Sequence, residues 1–209
     1  MSDEKPHKRL NTHTKKILQL KKADDTLRQI LLEEGVLFDG YHPRMEELHL
    51  KNAEALGAIM DQIGYPTPAK VGQEASDAAW LIIQHAISKP EFMRACAVLL
   101  EKAVQQGQVA PTTWAYLTDR IAVLEGRLQL FGTQFDWDVH LELNPLPYDD
   151  LEAVNKRRAD IGLNTLEAQT MLMRERAKAE QNNPPNMATR NATYEAWRKR
   201  VGWAEAQIR

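Results

Sequence analysis

Val71-Gly72-Gln73-Glu74-Ala75-Ser76-Asp77-Ala78-Ala79-Trp80-Leu81-Ile82-Ile83-Gln84-His85-Ala86-Ile87-Ser88 is the stretch on which the reading of this chain turns. At about 100° per residue on a helix, Ala78, Ala79, Trp80, Leu81, Ile82, Ile83, Ala86 and Ile87 spread around the whole circumference instead of forming one stripe. A helix that is apolar on every side belongs in the middle of a core, and this one is expected to run to about Ser88. Gln84 and His85 fall in its last turn. A buried amide and a buried imidazole each cost about 1–3 kcal/mol unless they find hydrogen-bonding partners, so polar groups must meet them there.

Working outward toward the N-terminus, Gly64-Tyr65-Pro66-Thr67-Pro68 ends the preceding helix, because neither proline continues it and Gly64 can adopt a left-handed cap. That helix is expected over Arg44–Ile63, with Met45, Leu48, Leu56, Ile59 and Ile63 as its apolar stripe. Asn52 falls near the centre of the stripe with His49 beside it. Two readings stay open for this pair: they tie the helix to a neighbouring backbone, or they line the same cavity as Gln84 and His85. Before a turn at Phe38–Pro43, a helix from Thr14 to Glu34 is expected to bury Ile17, Leu20, Leu27, Ile30 and Leu31, and Gly35 stops it. Residues 1–12 read as a polar, flexible N-terminus.

Toward the C-terminus, Ser88-Lys89-Pro90-Glu91 has the spacing of a capping box, opening a helix through Met93, Ala97, Leu100 and Val104 to Gln106. Pro111 opens another, with Trp114, Leu117, Ile121 and Leu124 buried, Arg120 at the edge of that stripe and Asp119 pointing nearly the other way. The pattern then changes. Leu128–Phe135 and Val139–Leu143 read as the strands of a β-hairpin with Asp136-Trp137-Asp138 as its loop, and Gly132 signals a bulge or a close backbone approach. A helix over Asp149–Asp160 is expected to bury Leu151, Val154 and Ile161 while carrying Lys156, Arg157 and Arg158. Asn164-Thr165-Leu166-Glu167 caps the next, which runs to about Glu180. Gln181–Asn186 is a linker, and Tyr194, Trp197 and Val201 form a narrow apolar face on a basic C-terminal helix that either docks back or offers a partner surface.

The expected fold is therefore mainly α: a helical domain over residues 13–180 with a central buried helix and one β-hairpin at about 128–143, then a linker and helical tail over 181–209. With 43% hydrophobic residues in 209, the chain can bury a real core. A net charge of −2 leaves no electrostatic footprint for nucleic acid or an anionic membrane. The single cysteine, Cys96, lies among apolar residues and rules out disulfides and cysteine-based zinc sites within the chain. With no apolar run near the ~18 residues of a spanning helix, the expected location is cytoplasmic.

No phosphate loop, dinucleotide fingerprint, nucleophile elbow or His-Glu-x-x-His motif is present, and no cofactor is expected. His42, Glu46 and His49 come nearest to a metal motif, but Pro43 puts His42 outside the helix, and a solvated helix start needs no metal. The expectation is no metal.

Gln84-His85-Ala86, Asp119-Arg120 and Gly132-Thr133-Gln134, with Gly64-Tyr65-Pro66-Thr67 ahead and Arg157-Arg158 then Gly162-Leu163 behind, resemble a mostly bacterial family known only as a domain of unknown function. The resemblance spans about residues 45–170 and implies domain limits and a candidate site, with no reaction attached. Two positions depart from it: Tyr65 stands where tryptophan is common, and Asn155 near where an acidic residue is expected.

Chemically, His85 is a proton carrier near neutral pH, and Asp119 can orient an imidazole or pair with an arginine. Arg120 and Arg158 can hold a carboxylate or phosphate, while Gln84, Gln134, Asn52 and His49 supply fixed hydrogen bonds. Such a set suits proton transfer or hydrolysis on a small anionic ligand, with His85 and Asp119 as the catalytic pair. The same residues equally suit a buried network that specifies the fold. In that case the functional surface would be a protein-binding one, at the hairpin with Trp137 or at the terminal helix.

Overall fold

In a computed structural model, which describes residues 4–37, 40–138, 140–180 and 187–204, the protein is mainly helical with a two-stranded antiparallel hairpin and a C-terminal helix. The chain divides into two compact units, Met1–Ala110 and Pro111–Arg209.

The first unit contains α1 (Glu4–Glu33), α2 (Pro43–Ile63), α3 (Pro68–Val71), α4 (Gln73–His85) and α5 (Pro90–Gln105). The central helix α4 packs against all four of the others, and Ala75, Ala78, Ala79, Ile82 and Ile83 are buried along it. It is shorter than the expected run to Ser88. Gly72, at φ +81°, breaks the backbone ahead of it in a conformation that side chains disfavour. At the other end, Lys89 must be extended before Pro90, so the chain turns at Ala86, whose N–H donates to Ile83 O.

Three further expectations need correction here. Helix α1 reaches back to Glu4 with Pro6 in its first turn, where a missing N–H costs nothing. Its buried face is Ile17, Leu20, Asp24 and Leu31, while Ile30 is exposed. The capping box at Ser88 does not form: Lys89 is the N-cap of α5, and Ser88 Oγ donates instead to Glu46 Oε1 at 2.6 Å. The turn expected at Phe38–Pro43 lies partly, and the linker Gln181–Asn186 wholly, outside the described residues.

The second unit contains α6 (Pro111–Leu124), β1 (Phe135–Trp137), β2 (Leu143–Pro145), α7 (Leu151–Asp160), α8 (Leu166–Ala179) and α9 (Met187–Val201). Strands β1 and β2 pair Phe135 with Pro145 and Trp137 with Leu143. The hairpin thus lies later than expected: Trp137 is a half-buried strand residue, and Leu128–Gln134 is a loop laid across α6. Gly132 in that loop has φ +61°, and a Cβ there would sit 2.7 Å from Leu166 Cδ1, so the expected close approach is real. On α7, Leu151 is exposed and Arg158 is buried with Val154. Helix α9 returns to the unit through buried Trp197, Arg198 Nε donating to Leu124 O at 2.7 Å, and Trp203 just beyond it.

Candidate functional site

Three helices of the first unit each bring one ionisable side chain to a common point. Asp24 comes from the buried stripe of α1, His49 from that of α2, and His85 is the last residue of α4. Asp24 Oδ2 lies 2.9 Å from His85 Nδ1 and 3.1 Å from His49 Nε2, and the two imidazole rings tilt toward each other with centroids 4.9 Å apart. Tyr41, in the turn before α2, holds the other His49 nitrogen, with its Oη 2.8 Å from Nδ1.

Burial differs across the trio, and that difference sets the chemistry. The side chains of Asp24 and His49 are 2% and 7% exposed, that of His85 28%. Burial opposes ionisation of Asp24, but the two imidazoles that face it, His49 and His85, outweigh that and hold the carboxyl well below the usual range. Asp24 is therefore a carboxylate that can orient an imidazole and stabilise its protonated form. His85, with Nδ1 engaged, keeps Nε2 for a ligand or a proton. His49 is different: its Nε2 is buried and close to Asp24, yet it makes no hydrogen bond of ordinary geometry.

The neighbouring polar residues on α2 and α4 are mainly framework. Asn52 Nδ2 donates to Leu20 O at 3.2 Å, tying α2 to α1 one turn ahead of Asp24. Gln84 is buried beside His85 in sequence. The trio His42, Glu46 and His49 does not meet: His42 Nδ1 accepts from Arg44 N to cap α2, and Glu46 accepts from Ser88.

Asp119, Arg120, Gln134 and Arg158 belong to the second unit. Fully buried Asp119 accepts from Leu130 N (2.8 Å), Phe131 N (3.1 Å), Thr133 N (2.9 Å) and Thr133 Oγ1 (3.0 Å). Burial pushes its carboxyl up, against the pull of these donors. Arg158 donates through Nε and Nη2 to Asn164 O and Oδ1, and through Nη1 to Phe131 O. Each of its three nitrogens is already engaged. Arg120 Nε donates to Gln134 Oε1 at 3.3 Å, and its desolvation lowers its pKa. Gln129, fully buried, accepts from Gln134 N and donates to Gln134 O and Leu146 O, clamping the loop.

Asp24, Tyr41 and Gln129 were not singled out by the sequence reading. A signal existed for Asp24: it stands four residues after Leu20 and seven before Leu31, in the middle of an apolar stripe, as Asn52 does on α2. Tyr41 and Gln129 lie in irregular segments, where no periodicity marks a buried side chain.

A family model described as a family of unknown function (DUF6624) matches residues 12–180. Comparison with curated proteins returns no match, and neither does comparison with solved structures.

Proposed function

Because the chain belongs to this family, whose description names no reaction, we propose its function from geometry: an enzyme that performs proton transfer or hydrolysis on a small ligand at the Asp24–His49–His85 centre. The observation that supports this reading is the 2.9 Å contact between a desolvated carboxylate and a partly exposed imidazole. That pairing fixes the ring through Nδ1 and leaves its other nitrogen to face a substrate. His85 is the reacting residue, and Asp24 is its orienting partner in place of the Asp119 expected from sequence. The arginines expected to bind an anion belong to the second unit, where Arg120 donates to Gln134 and Arg158 is committed to backbone and side-chain oxygens, so this reading rests on the Asp24–His49–His85 centre alone.

The test is a thermal-shift screen of wild-type protein and His85→Ala against a metabolite library. A ligand at 100 times its Kd stabilises the fold by about 2.7 kcal/mol. A compound that shifts the wild type and not a folded His85→Ala variant supports the reading; absence of any His85-dependent ligand rejects it.

One observation favours a second reading, a protein-binding surface. Leu141 in the hairpin loop and Met171 and Leu172 on α8 are more than half exposed, and Trp137, Leu143 and Ala177 line a groove of about 220 Å³ with Leu141 and Arg174. The hairpin and α8 offer this surface, while on α9 Trp197 is buried and Tyr194 is the exposed aromatic. Loss of a pulled-down partner on Leu141→Glu with Met171→Glu would support it.

A further inference from the structure

We propose that Asp24, His49 and His85 bind a divalent transition-metal ion of the zinc or ferrous class, with coordination positions left open on the His85 side. The inference rests on the centre proposed above and names what occupies it. It reverses the metal-free expectation from sequence, which looked for ligands within one helix and not across three.

The argument starts from donor chemistry. Two imidazoles and one carboxylate are the donors that borderline divalent ions prefer, and three of them on one side leave room for water or substrate. Each residue offers one ligand atom, and the three atoms lie within 4.8 Å of one another. Ligands about 2.0–2.2 Å from a common ion are about 3–3.5 Å apart at tetrahedral or octahedral angles. The contacts from Asp24 Oδ2, 3.1 Å to His49 and 2.9 Å to His85, sit at the lower edge of that spacing, so small rotations of the rings admit the ion.

A second observation concerns hydrogen bonding. His49 Nε2 is buried, close to a carboxylate, and unused in hydrogen bonding. Leaving a buried nitrogen so placed is costly unless something else takes its lone pair. Tyr41 resolves which nitrogen that is. Its hydroxyl can accept from Nδ1–H as readily as it donates, and the Nδ1–H tautomer turns the Nε2 lone pair toward Asp24. Ligating histidines are held in this way by an oxygen on the far nitrogen. Asp24, an acidic residue with little access to water, supplies the charge that a dication needs.

With the ion bound, His85 would be a ligand through Nδ1 in place of the reacting base assigned to it above, and the ion would supply the acidified water that hydrolysis needs. Among the described residues the trio is anchored on α1, α2 and α4 of a single unit, so the face is preorganised by helix packing.

The experiment uses the full chain stripped with a chelator and titrated with Zn²⁺ or Co²⁺ alone, following metal content after desalting and the visible absorption of Co²⁺. The expected result is one ion per chain in the wild type. His85→Gln, whose folding is checked by circular dichroism, should bind at least about tenfold more weakly, and Tyr41→Phe about tenfold more weakly. Asp24→Asn should abolish the Co²⁺ spectrum; should it fail to fold, the His85 and Tyr41 variants decide. Wild-type protein that retains no metal, or folded His85→Gln that binds as tightly as wild type, overturns the proposal. Metal binding without any ligand in the screen would reject the enzyme reading alone. A His85-dependent ligand in a protein that binds no metal would reject this inference alone.

Discussion

Replacing Asp119 by alanine should cost the second unit about 3–5 kcal/mol. The carboxylate accepts from three backbone N–H groups and one hydroxyl, all in the loop that covers α6. An orphaned buried donor costs about 1–3 kcal/mol. Phe131 is buried and its N–H has no route to water, whereas Leu130 is 38% exposed and its N–H can be rehydrated. Two to three effective losses, offset by relief of a buried charge, give the stated figure, which is a large part of the about 5–15 kcal/mol that holds an ordinary domain folded. Asp119→Asn should fall between, because one amide oxygen still accepts while the amide nitrogen faces donors. Urea unfolding followed by tryptophan fluorescence suits this unit, since Trp114, Trp137, Trp197 and Trp203, four of the five tryptophans, lie in it. A loss below about 1 kcal/mol for Asp119→Ala, with an unchanged m-value, would refute the view that this carboxylate organises the loop.

Gly132→Ala should lose about 2–4 kcal/mol in the same assay, since the new methyl meets Leu166 at 2.7 Å and the backbone is left-handed. Cys96, buried against Met60 with its thiol pushed up to about 12, should be inert to a disulfide reagent at pH 8 in the folded protein and react on unfolding. Its thiolate fraction at that pH is about one in ten thousand; fast labelling of native protein would contradict this. Asp138 accepts from Glu142 N, then from His140 N and Asn144 Nδ2, and these bonds hold its carboxyl below the ordinary range. A lowered folded value means that its contribution is complete above the unfolded value near pH 4 and disappears as pH falls through the folded one. The protection factor of the Glu142 amide, with the intrinsic pH dependence of exchange divided out, should therefore fall in acid, and Asp138→Asn should remove that dependence.

The candidate site was legible in pieces. His85 and His49 stood out because a polar residue in an apolar stripe demands a partner, and both do meet one buried carboxylate. Asp24 carried the same signal on α1, yet a helix seen alone also permits a solvated aspartate at the edge of the stripe. Helical spacing points Asp119 away from Leu117 and Ile121, yet it is fully buried, because the 128–134 loop folds over it. Arg158 was read as an anion binder from its charge. Its burial at 2% follows from carbonyls 6 and 27 residues away in sequence that only the folded chain delivers.

The local grammar follows from the residues alone: which segments are helical, where proline and glycine stop them, and that the helix through Trp80 and Ile83 belongs in a core. Those features depend on side chains a few residues apart and on backbone preferences, both of which can be read along the chain. The meeting of Asp24 with His85, 61 positions apart, comes from the packing of the whole core. The pairing of an imidazole with one carboxylate among many depends on which helix faces pack together, and that is settled by burial of the whole core.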